Sequence, residues 1–474
     1  MNRTLKVLIS QKSFIVSVVL IGSIVGLALY SLTFGNYNPY NPSSVVAGRF
    51  AVPAWATIFP QYKDLPPDIS KYLTPSMPIK QYNSTSYDVI VAPNSEKVIN
   101  FPIDWKYTTP KCGFEISFNL KPIVECSKQF FMINTTWTLP NGTSYDLATL
   151  MPSSYSIYYF STYYCFIQVN KTFDMYYGTL RLICHSVYLC SLPIEQRTVY
   201  SVYLPLLMFP KEGLYNLSLI IINNSSKPLT IIFTRPHFSV IGETYGLLGT
   251  DDNGAPVFKE FAIGARLDLE IALFASVLIV LIGAVFGMIS GYYGGKIDLS
   301  IVGLTDFFLL IPGLPLLIAL ETALIKSGIH MSKLLLIIIL ISILSWPGTS
   351  RIIRSQTLSI RNRTFIEASR ALGLNNLRII ARHVVPNLIP IIAAQVAYDV
   401  PTVILIESGL DFLGLGILCY PTWGNMLGFA SHTVSSANGF AWWWVLPPGI
   451  GIIVLSAAFF YLGNAFIKAF SPSE

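Results

Sequence analysis

Six stretches of this chain are apolar over lengths that suit a bilayer: residues 13–34, 271–289, 301–325, 334–346, 388–406 and 443–470. A helix crosses a hydrocarbon core roughly 30 Å thick with about 20 mainly apolar residues. The pattern predicts an α-helical polytopic membrane protein with six transmembrane helices. Residues 35–243 follow a different rule. Short runs such as 154–169 and 198–207, rich in Tyr, Phe, Ile, Val and Thr and punctuated by Pro, Gly and Asn, read as strands. The expected organisation is an N-terminus with the first span (1–34), a large all-β insert (35–243), and a domain of five further spans (244–474).

Charge gives the spans a direction. Between the fourth and fifth, residues 348–387 hold seven arginines (Arg351, Arg354, Arg361, Arg363, Arg370, Arg378 and Arg382) against one acid, Glu367. An excess of Arg and Lys marks the cytoplasmic side. Counting back through alternating spans places Arg3, Lys6 and Lys12 on that side as well, and Lys468 near the C-terminus joins them. The insert is then extracellular, and the chain is expected in the plasma membrane with both termini cytoplasmic. The first apolar run is longer than a signal-peptide core and reads as a retained anchor, with a cleaved signal as the alternative. Composition agrees, since 12% of the residues are charged where an average soluble domain carries about 25%. The net charge of +6 is not gathered into a dense basic patch, so nucleic-acid binding has no support.

The insert differs in composition from everything after it: 19 of the 26 tyrosines lie between Asn36 and Tyr215. Cys112, Cys126, Cys165, Cys184 and Cys190 fall in it and Cys419 in the last outer loop. That one-sided distribution fits disulfides in an oxidising exterior, without indicating the pairing, and lacks the paired C-x-x-C spacing of a zinc site; unpaired buried thiols are the remaining reading. Seven N-x-[ST] sequons, at Asn83, Asn134, Asn141, Asn170, Asn216, Asn223 and Asn224, also fall on the external side. They are glycosylation candidates, with plain turn asparagines as the alternative. The Tyr158-Tyr159-Phe160 and Tyr163-Tyr164 clusters read as sandwich core, or as a surface that stacks sugar rings or holds a partner.

The arginine-rich loop carries the most informative stretch, from Arg363 to Pro386. Thr364 is placed to N-cap a helix and Glu367 to close a capping box three residues on, while Gly373 stands where a left-handed residue is wanted after the helix. Phe365, Ile366, Ala368, Ala371 and Leu372 are too apolar for a solvated loop. The short helix is therefore expected to dock on something, with intramolecular packing beneath the spans as the alternative. Asn376 is placed to begin a second helix that Pro386 limits.

Glu367-Ala-Ser369, Gly373 and Pro386 stand at the spacing of the EAA motif of ABC importer permeases, with Ser369 a small-for-small departure. Around them, Leu247-Leu-Gly-Thr-Asp251, Gly264-Ala-Arg266, Gly291-Tyr-Tyr-Gly-Gly295, Ser345-Trp-Pro-Gly348, His383-Val-Val-Pro-Asn387, Phe412-Leu-Gly-Leu-Gly416 and Trp423-Gly-Asn-Met-Leu427 occur in the family's order. The chain thus resembles the C-type permease subunit of dipeptide and oligopeptide ABC importers from Tyr245 to about Ser471. The insert lies outside the resemblance, and Asn253-Gly-Ala-Pro256 replaces the family's usual Leu-Gly-Arg-Asp.

The resemblance implies a type I importer fold, in which Thr364, Phe365, Ile366, Glu367, Ala368, Ser369, Ala371, Leu372, Gly373 and Pro386 form the element that couples to cytoplasmic ATPases. It implies as partners a second, B-type permease, two ATPase subunits, an extracellular solute-binding protein and the lipid bilayer. Cargo would be oligopeptides, or oligosaccharides as in some archaeal members, and the glycan-ready insert fits an archaeal surface. The insert could dock the binding protein, cover the permease or bind cargo. A receptor or adhesion protein with a vestigial permease half is the competing reading. No phosphate-binding G-x-x-x-x-G-K-[ST] loop, H-E-x-x-H or G-x-S-x-G occurs, and the histidines do not cluster with acids, so no enzyme activity, metal or cofactor is expected. Acids within spans are functional candidates. Asp306 and Asp399 are the candidates for the translocation pathway: Asp306 reads as a helix or partner-permease contact ahead of cargo binding, Asp399 is an even choice for the pathway wall, and Glu321 and Glu407, near outer ends, are either functional or simply solvated.

Overall fold

The computed structural model describes residues 8–35, 37–39, 41–109, 114–123, 131–150, 166–167, 178–183, 209–326, 332–416, 420–433 and 441–470. All six cysteines, Asn170 and both tyrosine clusters lie outside them. The chain divides into two compact units, Val45–Pro256 and the remainder.

The first unit is built of strands: β1 (Ile69–Tyr72), β2 (Lys80–Asn83), β3 (Ser86–Val91), β4 (Ser95–Trp105), β5 (Phe114–Ile123), β6 (Phe131–Thr138), β7 (Ser144–Leu150), β8 (Phe166–Ile167), β9 (Gly178–Ile183), β10 (Gly213–Asn223), β11 (Leu229–Thr234) and β12 (His237–Val240). One sheet runs β1-β12-β5-β11-β3-β2 with β9 and β8 alongside β5, and the other runs β4-β10-β6-β7. The described strands pair antiparallel, as in Gly213↔Trp105 to Asn223↔Ser95 between β10 and β4. β4 alternates as a half-buried strand must: Ile99, Phe101, Ile103 and Trp105 are buried, while Pro102 and Asp104 face out. Inner residues of both sheets, among them Val89, Phe101, Trp137, Tyr215 and Phe233, form one core. Phe101 meets Phe233 across it edge to face, with ring centroids 6.2 Å apart. Tyr215 stacks on Trp137, and its hydroxyl donates to the Lys211 carbonyl at 2.6 Å. That bond pins the entry to β10, much as a tyrosine corner does in β-sandwiches.

The second unit is helical: α1 (Lys12–Ser31), α2 (Val257–Tyr293), α3 (Gly295–Leu310), α4 (Gly313–Lys326), α5 (Lys333–Arg361), α6 (Thr364–Ala371), α7 (Asn376–Ile379), α8 (Val385–Phe412), α9 (Trp423–Thr433) and α10 (Trp442–Phe470). Among the described residues, five stretches are long and apolar enough to cross a membrane, and a sixth counts if α3 and α4, bent by 85°, form one broken span. The expected third span, 301–325, is thus not one helix. Pro312 disfavours the helical conformation for the residue before it, and Ile311 is extended (φ −80°, ψ 130°).

Three other spans exceed their expected limits, α8 by running from Val385 to Phe412 where 388–406 was expected. α2 starts at Val257 instead of 271, and α5 runs through Pro347 to Arg361, so much of the expected 348–387 loop is helix. Close packing explains why α5 continues. Gly283, Gly287 and Gly291 line one face of α2, where a Cβ would lie 2.8 Å from Thr349 Cβ, 2.5 Å from the Ser350 carbonyl oxygen and 2.7 Å from that of Arg354. Small residues four apart let two helices approach to backbone contact, where packing holds a helix interrupted by proline.

Candidate coupling surface and intramembrane acids

α6 begins without the expected capping box. Arg363 is the extended residue before the helix (φ −83°, ψ 146°) and gives no side-chain cap, so Thr364 is already the first helical residue. The C-terminus does follow the expectation. Gly373 is left-handed (φ +75°), its N–H donates to the Arg370 carbonyl at 2.9 Å, and the Leu374 N–H donates to that of Ser369 at 3.3 Å. These two bonds make a Schellman motif. A Cβ at Gly373 would meet nothing within 4 Å, so the position asks for glycine by conformation alone.

Only one side of α6 is seated. Ile366 is fully buried in a cluster with Tyr292, Ile353, Ile360, Ile379, Val384 and Leu388, and Ser369 turns the same way, its hydroxyl donating to the Phe365 carbonyl at 2.7 Å. The Arg370 guanidinium lies 5.2 Å from the centre of the Tyr292 ring, and the Tyr292 hydroxyl donates to Asn376 Oδ1 at 3.0 Å. Thr364, Glu367, Ala368 and Ala371 face out, together with Phe365 at 37% exposure, Leu372 at 81% and Leu377 at 69%. The apolar residues therefore split: Ile366 anchors the helix, while Ala368, Ala371 and Leu372 stay exposed among the described residues and Phe365 is half-open beside the His383 ring.

The second helix begins at Asn376 as expected, but Pro386 does not limit it. Asn375 caps α7, accepting from the Leu377 N–H, a π-turn follows over Ile380–Val384, and α8 begins with Pro386 in its first turn. Proline lacks an N–H and crowds the carbonyl four residues back. The wider turn absorbs that conflict, so Pro386 does not end the helical path, which passes as one span from Asn376 to Phe412.

Acids tie the helices together. Asp298 of α3 receives two bonds from Arg354 of α5, each 2.6 Å, and a third from the Ser290 hydroxyl. Asp306 pairs with Arg351. Two of the seven loop arginines are thus structural cations on a helix. Asp399 of α8 accepts from the Thr349 hydroxyl of α5 at 2.9 Å and from Gln395 at 3.2 Å, and it remains partly open. The side chain of Glu321 lies outside the described residues.

Glu407 corrects its expected solvation: it is 1% exposed, beside Asp268 at 1% and Asp411 at 2%. Each has one carboxyl oxygen bonded, Asp268 Oδ2 to the Trp423 N–H, Glu407 Oε2 to the Ser408 hydroxyl and Asp411 Oδ2 to the Thr422 hydroxyl. Gly416 and Gly424 make room for Asp411, since a Cβ at Gly424 would lie 2.6 Å from Asp411 Cβ. The sequence reading missed Asp268 and Asp411, although the i, i+4 spacing of Glu407 and Asp411 places both on one helix face.

Among the glycosylation candidates, Asn83, Asn141 and Asn224 are exposed, and Asn134 and Asn216 sit half-buried in central strands. Asn223 is withdrawn. It is fully buried, and its amide donates to the carbonyls of Val91, Ala92 and Lys227 while its oxygen accepts from Ser225.

Residues 283–473, wholly within the helical unit, match the family described as binding-protein-dependent transport system inner membrane component. A dipeptide transport system permease protein of Alkalihalophilus pseudofirmus is 36% identical over 225 residues, covering 47% of this chain and 71% of that protein. The chain belongs to the dipeptide and oligopeptide ABC permease family. An oligopeptide transport system permease protein of Haemophilus influenzae is 32% identical to this permease over 235 residues, 49% of this chain and 72% of that protein. A solved methionine ABC transporter chain overlays 45% of the permease and 97% of its own length at 17% identity, but a TM-score of 0.38 adds nothing to the assignment. The permease is a membrane-embedded transporter component and not an enzyme. These relatives give the receptor or adhesion reading no support.

Proposed function

We propose that this permease is one of two non-identical membrane subunits of an importer for oligopeptides or oligosaccharides, and that α6 is its coupling element. The observation that carries the reading is the one-sided seating of α6. A helix anchored by Ile366 and closed by Gly373 presents Phe365, Ala368, Leu372 and Glu367 outward, which suits a rigid plug for a groove in an ATPase. Two cytoplasmic ATPases, a B-type permease and an external solute-binding protein complete the machine. Peptide cargo is favoured by the names of the relatives. The arginine bias favours termini inside and the β unit outside, and the exposure of Asn83, Asn141 and Asn224 suits glycosylation there. Asp399, polar and partly open within a span, is the candidate for the pathway wall. Co-purification of the ATPases with Leu372→Asp tests the reading. The expected result is lost ATPase with normal membrane insertion, and retention of ATPase at wild-type yield and uptake would sink it.

A further inference from the structure

The β unit is closed by a neck in which the chain entering it runs beside the chain leaving it. The Val46 N–H donates to the Gly254 carbonyl at 2.9 Å, Phe50 to Asp251 at 2.9 Å, Val52 to Glu243 at 2.8 Å and Ala54 to Gly246 at 2.9 Å. Buried Thr250 locks the two together, donating to the Gly48 carbonyl at 2.6 Å and accepting from the Ala51 N–H at 2.8 Å. On this neck Trp55, Ile58, Phe59 and Leu247 are exposed by 41%, 80%, 47% and 59%. The Trp55 indole N–H donates to the Leu247 carbonyl at 2.8 Å, and the Trp55 and Phe59 rings lie 6.3 Å apart. No charged residue occurs from Ala51 to Tyr62. An uncharged, Trp-bearing apolar edge costs free energy in water and suits the boundary between headgroups and acyl chains.

The position of the neck along the chain indicates its partner. Pro256 is followed directly by Val257, the first residue of α2. Two residues on, the Lys259 ammonium lies 5.7 Å from the ring centre of Phe34 and 5.3 Å from that of Tyr37, and Tyr30 packs against Phe34 at 5.1 Å. Aromatic rings gathered with a lysine at the ends of spans mark a membrane–water interface. From Leu247 to Val257 the chain reaches at most about 35 Å even when fully extended. We infer that the neck edge formed by Trp55, Ile58, Phe59 and Leu247 rests in the headgroup layer of the bilayer, as an interfacial anchor of the β unit. A lipid surface fits better than a protein partner, because the edge offers almost no polar group for recognition and is chained to a membrane boundary.

The full-length protein in nanodiscs tests this, with phosphatidylcholine either plain or brominated near the headgroup end of its acyl chains. Of the eight tryptophans, Trp55 is isolated by subtracting the emission of Trp55→Phe from that of the wild type. Bromolipid should remove about half or more of that difference signal, as for an indole at the interface, and aqueous iodide should remove little. A signal untouched by bromolipid and quenched by iodide would overturn the inference. So would a signal shielded only when the solute-binding protein is added, which would mark a protein-docking edge. Ile58→Trp in the otherwise native chain gives a second probe that does not depend on losing Trp55. Its added emission should be quenched by bromolipid in the same way.

Discussion

Replacing Gly373 isolates a backbone effect at the coupling helix. Its φ of +75° is left-handed, which costs an L-residue roughly 1–2 kcal/mol. The space around it is open, since a Cβ would meet nothing within 4 Å, so Gly373→Ala changes the backbone term alone. At about 1.4 kcal/mol per factor of ten, alanine should lower the population of the closed helix end about 5- to 30-fold. Asparagine tolerates the left-handed region and should lose less. Proline fixes φ near −65° and removes the N–H that bonds Arg370, so it should lose most. Hydrogen exchange at the Leu374 amide, whose bond to the Ser369 carbonyl closes the motif, reports the closed population directly. Exchange should accelerate in the order Gly, Asn, Ala, Pro, and ATP-driven uptake should fall in the same order. Wild-type exchange and uptake in the alanine and proline variants would refute the reasoning.

Other expectations concern single contacts. Asp298→Asn or Arg354→Met should each lower stability in detergent by about 2 kcal/mol, less than for a fully buried pair, and the double variant should recover most of it; full additivity in thermal unfolding would contradict the pairing. Asp399→Asn should abolish uptake with the assembled complex intact, and normal uptake would remove Asp399 from the pathway. Asn223→Ala strips five hydrogen bonds from one buried turn and should destabilise the β unit by about 2–3 kcal/mol, whereas Asn83→Gln should be neutral to denaturant. Mass spectrometry of the native protein should find glycan on Asn83, Asn141 or Asn224 and none on Asn223.

What could be read from the sequence was governed by local rules. A bilayer demands long apolar runs, so helices over 13–34, 388–406 and 443–470 were legible. Gly373 was legible because a helix stop in the left-handed region needs a residue without Cβ, whatever surrounds it. The apolar character of α6 was legible too, but its division into a buried Ile366 and an outward Leu372 was not. That division depends on which face meets Tyr292 and Ile353, residues remote in sequence.

The misses share that physical origin. Thr364 and Glu367 satisfy a capping pattern on paper, yet the extended conformation of Arg363 starts the helix one residue early. Pro386 looks like a stop, and a π-turn absorbs it. Glu407 was expected at a solvated end, and is buried because α2 brings Asp268, and the approach to α9 brings Thr422 and Trp423, against the same helix face. Asn223 reads as a sequon, and the turn between β10 and β11 consumes its amide. Composition and periodicity report what each segment needs, water or lipid, turn or helix. Only tertiary packing decides which groups meet those needs, because the partners lie tens to hundreds of residues away.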